Sequence, residues 1–342
     1  MHSKIMLLFY DDHVRFVTLS ANLVEIDWTV LANIMFIQDF PYTPESIMPA
    51  GLSNQSDQRN MQFGETLEAA LRDMDVPEQV VSQLRHMDMS RARAHIVTTV
   101  PTSRFRLKRK QADSYGVFRL GNVVATLRGS TPLSDWFDTK LFCYGSSLSR
   151  LDSGYLACFY KYVLGNVAKY SDGLCEELGY SGEEEYVSRV LSRNIAVGFH
   201  TQSQTNGNKF GAIPKKCIMF SSDAFFNNDY PSAVLHKVDA KVSEVLIHAK
   251  IMFARYGKSA GWMYLGSHNF TRGAWGTFTG NFGKGQYYNN YEFGVVLPGI
   301  CYKEVAGGKT AVMWNRAEIP VPFEPYPWTR YGELDMPSMN GM

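Results

Sequence analysis

The chain has 342 residues, 45% hydrophobic and 20% charged, with a net charge of +1. That composition excludes a disordered chain, and the length leaves room for two ordinary domains or one large two-part unit. The near-neutral balance excludes a uniformly basic nucleic-acid binder, though not a local basic patch. The five cysteines, Cys143, Cys158, Cys175, Cys217 and Cys301, are odd in number, scattered and without a C-x-x-C pair. They argue against a disulfide framework or a zinc site and fit a reducing compartment.

In chain order, IMLLFY and VRFVTLS are β-prone runs separated by DDH, which predicts a hairpin. The opening run is too short for a membrane span and meets Asp11 and Asp12 at once, so it reads as a strand and not as a signal peptide. Asn22 then precedes a short stretch of helical character ending at Trp28. Asn22 suits its N-cap, and Glu25 and Asp27 suit its positive end. Phe63, Leu67, Ala70, Leu71 and Met74 share one face of a predicted helix. A second helix follows Pro77, and RAHIVTTVP reads as a strand closing the first half. Further on, HTQSQTNGNKFGAIP reads as a polar, mobile loop. IMFARY and WMYLGS then form a second predicted hairpin, ahead of Asn269 and Trp275. The segment from Pro320 onward is proline-rich.

The two hairpins belong to a repeat. His2 and Lys4 recur as His248 and Lys250, each within His-x-Lys-Ile-Met. A tyrosine stands eight residues after each histidine, Tyr10 and Tyr256. An asparagine follows 18 or 19 residues after each lysine, Asn22 and Asn269, and a tryptophan six residues after that. Agreement this ordered argues an internal duplication, and two copies argue two related halves and not a solenoid. On a strand, residues two apart point the same way, so each His-Lys pair projects together. A lone histidine on a strand is usually packing or surface; two polar triads recurring in apolar sequence are costly without a task. His86, His95, His200 and His236 show no such partner spacing and read as structural or surface residues.

Two imidazoles allow a division of labour. One attacks while the other protonates the leaving group and then activates water. Two lysines supply positive charge for an anion that gains charge in the transition state, and two asparagines can donate to the same oxygens. Phosphoryl transfer from a diester calls for this equipment, with lysines doing what metal ions do elsewhere. No acidic cluster suited to magnesium is visible, so no metal or other cofactor is expected.

These motifs resemble the tyrosyl-DNA phosphodiesterases that act on DNA 3′ ends, a branch of the phospholipase D superfamily. The ordinary superfamily signature has Asp five residues after the lysine; here those positions are Phe9 and Arg255. The tyrosyl-DNA branch instead uses His-x-Lys followed at a distance by Asn, as both copies do. SANLVEIDW, SHNFTRGAWG, NNYEFGVVLP and GSSLSRL also look like segments of that family.

The resemblance implies an α/β, phospholipase D-like fold of two pseudo-symmetric halves, residues 1–103 and 104–342, each a mixed sheet with flanking helices. It implies strands and helices ahead of the first motif, so the first half is expected to be N-terminally truncated. His2 would be the nucleophile and form a phosphohistidine. His248 would be the general acid and then the general base. Lys4, Lys250, Asn22 and Asn269 would hold phosphate oxygens, and Glu292 would orient His2. Where the family has a glutamine supporting the second histidine, the position falls on Asn33. Ser146, Ser147, Thr271 and Arg272 would contact DNA. Arg104, Arg106, Lys108, Arg109 and Lys110 read either as an extension of that track or as a solvated linker. QYYNNYEF offers rings for base stacking or for packing.

The expected activity is hydrolysis of 3′-phosphodiester links between DNA, single- or double-stranded, and tyrosine or another adduct. The expected setting is DNA repair in the nucleus, by a monomer with no membrane contact. Two alternatives stay open: a broader phospholipase D-type nuclease, and an inactive remnant that binds single-stranded DNA.

Overall fold

The first hairpin forms as its alternation predicts: β1 (Ile5–Phe9) and β2 (His13–Leu19) pair antiparallel, closed by Tyr10 N–H donating to the His13 carbonyl. The structure, a computed structural model, describes residues 1–43, 55–102, 114–131, 136, 138–165, 183–221, 232–242, 244–256, 260–279, 285–305, 309–323, 329–330 and 337–338. The short β3 (Leu31–Ala32) is followed by β4 (Met35–Pro41), which pairs with β2 to complete a three-stranded antiparallel sheet.

The remaining strands are β5 (His95–Thr99), β6 (Lys140–Tyr144), β7 (Ser147–Leu148), β8 (Ile195–Phe199), β9 (Met219–Phe220), β10 (Leu235–Lys237) and β11 (Leu246–Ile247). After them come β12 (Ile251–Tyr256), β13 (Ala260–Gly266), β14 (Thr277–Thr279), β15 (Gly285–Tyr287), β16 (Glu292–Val305), β17 (Lys309–Trp314), β18 (Ala317–Glu318) and β19 (Thr329–Arg330). Among the described residues ten of the strands make one mixed sheet in the order β18-β17-β16-β13-β12-β6-β8-β10-β19, with β5 also on β16. β6, β8 and β10 run parallel; β12, β13 and β16 run antiparallel to their neighbours.

β12 is apolar on both faces because it is covered on both. Met252 and Ala254 enter one core, with the helices Gly116–Arg128 and Ser153–Val163. Ile251 and Phe253 enter the other, with Phe16 and Phe36 of the three-stranded sheet and with Phe63 and Leu67. Alternation thus sends successive side chains into different layers. The helix Gln55–Asp73 carries the predicted apolar face, with Phe63, Leu67, Ala70, Leu71 and Met74 all buried. The helix Glu78–Val81 begins after Pro77 as expected. Among the described residues no helix is long and apolar enough to cross a membrane.

Three expectations are corrected. β5 does not close the first half: it pairs with β16 of the large sheet, from Glu292↔Thr99 to Val296↔His95. The segment from His200 folds into the helices Gln202–Asn206 and Ala212–Lys215. The first is fixed by a capping box between Thr201 and Gln204, so polar composition there is helix-start chemistry. The asparagines are not caps either. Val24 precedes the helix Glu25–Thr29 without a side-chain cap, and Thr271 caps Arg272–Trp275 through Ala274 N–H. The run from Arg104 to Lys110 and most of the segment after Phe323 lie outside the described residues.

Candidate active site

Both His-Lys pairs lie just ahead of a strand, and not within it. What holds them is the opposite copy of the repeat. His2 N–H donates to the Tyr291 carbonyl at 3.1 Å, which sets the ring beside Glu292. His248 N–H donates to the Ala32 carbonyl at 2.8 Å, where β11 pairs parallel with β3. The two-residue strands β3 and β11 therefore carry the second histidine to the first copy.

The acids follow the same crossing. His2 Nδ1 lies 2.7 Å from Glu292 Oε2, which also accepts from Ser267 Oγ at 2.5 Å. His248 Nδ1 lies 3.1 Å from Asp27 Oδ2, which accepts from Asn22 N–H at 2.5 Å. Sequence reasoning set Asn33 opposite His248. Its amide is spent elsewhere: Oδ1 accepts from Ser20 Oγ at 2.8 Å and Nδ2 donates to the Asp27 carbonyl at 2.7 Å. Asn33 does stand to Ser20 as Glu292 stands to Ser267. Ser20 Oγ accepts from Ile34 N–H and Ser267 Oγ from Phe293 N–H. The acid beside His248 comes from a different element, the helix Glu25–Thr29.

Each lysine donates back to the carbonyl of its own histidine, Lys4 to His2 and Lys250 to His248, both at 2.6 Å. Both ammonium groups are buried. Burial lowers Lys4 to about 8, against the pull of Glu292 and Asp27. Burial, with repulsion from Lys4, holds Lys250 well below the ordinary lysine value. Two buried lysines that repel one another are a site short of an anion, and a bound phosphate would raise both toward the ordinary lysine value. Burial pushes Glu292 and Asp27 up, but the bonds from His2 and Ser267 to the one, and the nearby His248 ring with the bond from Asn22 at the other, outweigh it and both end below the usual carboxylate range.

Asn269 Oδ1 accepts from Ser147 N–H at 3.1 Å and Ser146 Oγ at 3.3 Å, so its NH2 remains the side able to donate to a phosphate. Ser146 is buried and committed to that bond, whereas Ser147 is half-buried. Arg272 pairs with Asp152 and lies over the Tyr155 ring at 5.0 Å from its centroid. On the other side, Lys4 and Asn22 line a cavity of about 220 Å³ with Met6, Leu19 and Leu23. The tryptophans have diverged: Trp28 is exposed and donates to the Asn22 carbonyl, while Trp275 is fully buried against Tyr264, His268 and Phe159. Tyr287 is exposed and Tyr288 and Tyr291 are buried, so only the first offers a free face. Among the described residues no three His, Cys, Asp or Glu side chains gather as a metal site.

Three buried histidines set an acid limit on the fold. His200, which accepts from Ile247 N–H, and His248 and His268 are each lowered by burial from 6.5 to about 4. Between those values the unfolded chain takes up protons that the folded chain refuses. Stability is therefore complete above pH 6.5 and falls as pH drops toward 4. Urea midpoints measured at pH 7.5 and about pH 5 should show this loss; equal midpoints would contradict it.

A family model for tyrosyl-DNA phosphodiesterase matches residues 1–332. The fold is also found in crystal structures of the yeast tyrosyl-DNA phosphodiesterase. One mutant form is 16% identical at TM-score 0.69, covering 99% of this chain and 77% of the yeast chain. A second mutant form is 15% identical at TM-score 0.68, covering all of this chain and 77% of that one. A third yeast structure is 15% identical at TM-score 0.62, over 88% and 70% of the two chains. With the repeat, the mixed α/β layers and the family match in agreement, this chain belongs to the tyrosyl-DNA phosphodiesterases, phosphodiester hydrolases with the phospholipase D-like fold.

Proposed function

We propose that this chain hydrolyses the phosphodiester joining the 3′ end of a DNA strand to tyrosine or another adduct, in DNA repair, through a phosphohistidine. The observation that carries this reading is the pair of histidine–carboxylate couples set over two buried lysines. Glu292 occupies His2 Nδ1, which leaves Nε2 as the attacking atom. Nε2 bonds to phosphorus as the bond to the tyrosine oxygen breaks, and protonated His248 gives that oxygen its proton. Neutral His248 then takes a proton from water, the water oxygen bonds to phosphorus, and the phosphorus–nitrogen bond breaks. His2 is freed and DNA leaves with a 3′-phosphate. His248 is lowered to about 4 in the empty site by burial and by Lys250, so the anionic phosphate must arrive before it can hold its proton. Lys4, Lys250, Asn22 and Asn269 take the phosphate oxygens, where developing charge is met by donors already in position. Ser147, Thr271 and Arg272, beside Asn269, take the DNA strand.

The test is a single-stranded oligonucleotide bearing a 3′-phosphotyrosine, incubated with the 342-residue chain in excess chelator. Release of a 3′-phosphate end, absent in His248→Ala, is the expected result. No release from folded, monodisperse protein would overturn it, and equal cutting of internal diesters would move the chain to the general nucleases. The same reading expects a nuclear monomer, to be checked by imaging and light scattering.

A further inference from the structure

The second histidine has the wrong partner for the reading drawn from sequence, and the difference has chemical content. Asp27 is 2% exposed, on the helix Glu25–Thr29, and among the described residues no lysine or arginine bonds its carboxylate. A carboxylate so buried is costly unless its bonds compensate. Its Oδ2 accepts from the backbone N–H of Asn22 and faces His248 Nδ1. The approach is oblique, since Nδ1 has no in-line acceptor, and catalytic hydrogen bonds are commonly loose before substrate arrives. Asn33 cannot compete, because both ends of its amide are bonded, one of them to the backbone of Asp27 itself.

Resting on the proposed reaction, we infer that Asp27 is the positioning residue of the general acid, fixing the His248 ring and stabilising its protonated form, with Asn33 bracing the turn that carries it. An amide oxygen at this place would orient the ring; a carboxylate also favours the imidazolium that must exist just before the leaving group departs. Because the same oxygen holds the backbone of Asn22, one group ties proton donation to the phosphate-holding asparagine. The effect belongs to the first step and scales with how much the leaving group needs a proton.

The test compares two oligonucleotides, one with a 3′-phosphotyrosine and one with a 3′-(4-nitrophenyl) phosphate, whose nitrophenolate departs without a proton. In single-turnover reactions Asp27→Asn should slow tyrosine release about 100-fold and nitrophenolate release less than about fivefold, the range expected for general acid catalysis. Asn33→Ala should lower stability and shift the ratio of the two rates less than Asp27→Asn does. Equal losses on both substrates in Asp27→Asn, or a changed ratio in Asn33→Ala alone, would overturn the inference. The native protein supplies a second measurement that needs no turnover. Nitrogen-15 histidine spectra, assigned with His248→Asn, should show His248 protonated at Nδ1 and bare at Nε2 at neutral pH; the opposite tautomer would overturn the assignment. If the native chain cuts neither substrate, the proposed reaction fails, and the tautomer still decides whether Asp27 holds His248.

Discussion

His2→Ala is expected to lower turnover of a 3′-phosphotyrosyl oligonucleotide by roughly four orders of magnitude or more, since losing the nucleophile leaves only binding and preorganised charge. The argument is geometric. His2 is held at both ends, by its backbone on Tyr291 and by its ring on Glu292. The ring nitrogen away from Glu292 is the one that can bond to phosphorus. Binding of the oligonucleotide should change little, because the ammonium groups of Lys4 and Lys250 and the amide of Asn269 remain. The decisive readings are a single-turnover rate and an affinity on the same variant. Turnover within tenfold of native would remove His2 as the nucleophile.

His248→Asn should behave differently, because its defect falls on both steps and is most visible on the second. Without a base for water, the phosphohistidine formed by His2 should decay about 10² to 10⁴ times more slowly, the usual range for one acid–base group. A DNA–protein adduct should therefore accumulate, resist denaturant and disappear on acid treatment, as a phosphoramidate does. Asparagine retains some polarity where His248 meets Asp27, which helps the variant fold. If no adduct is trapped in this variant on gels over any time course, the two-step route is wrong.

The repeat made the polar residues legible because it printed them twice. His2, Lys4, Asn22, His248, Lys250 and Asn269 stand out as candidates from the sequence alone, and Glu292 is a candidate from the resemblance. Asp27 was harder. In the sequence it is an acid near a helix start, and the helix dipole explains it well enough. Its partner is 221 residues away, brought near by two-residue strands that no periodicity can reveal. β5 shows a related limit: alternation marks a strand without saying which sheet it joins. At Asn33 the resemblance points to His248, and the side chain bonds elsewhere. Its place beside Ser20 matches that of Glu292 beside Ser267, but its amide is taken up by Ser20 and the Asp27 carbonyl. The helix after His200 failed for another reason. Its polar, glycine-bearing sequence reads as a mobile loop, whereas Thr201 and Gln204 satisfy backbone donors at a helix start.

The crossing of acids between copies bears on what a part of this chain could do. Neither copy owns a complete histidine–acid couple: His2 borrows Glu292, and His248 borrows Asp27. The two acids are not matching positions of the repeat, since Asn33 stands to Ser20 as Glu292 stands to Ser267 and Asp27 lies on the helix Glu25–Thr29. A fragment holding one motif alone would therefore keep its histidine and its lysine and lose the carboxylate beside the ring, however well it folded.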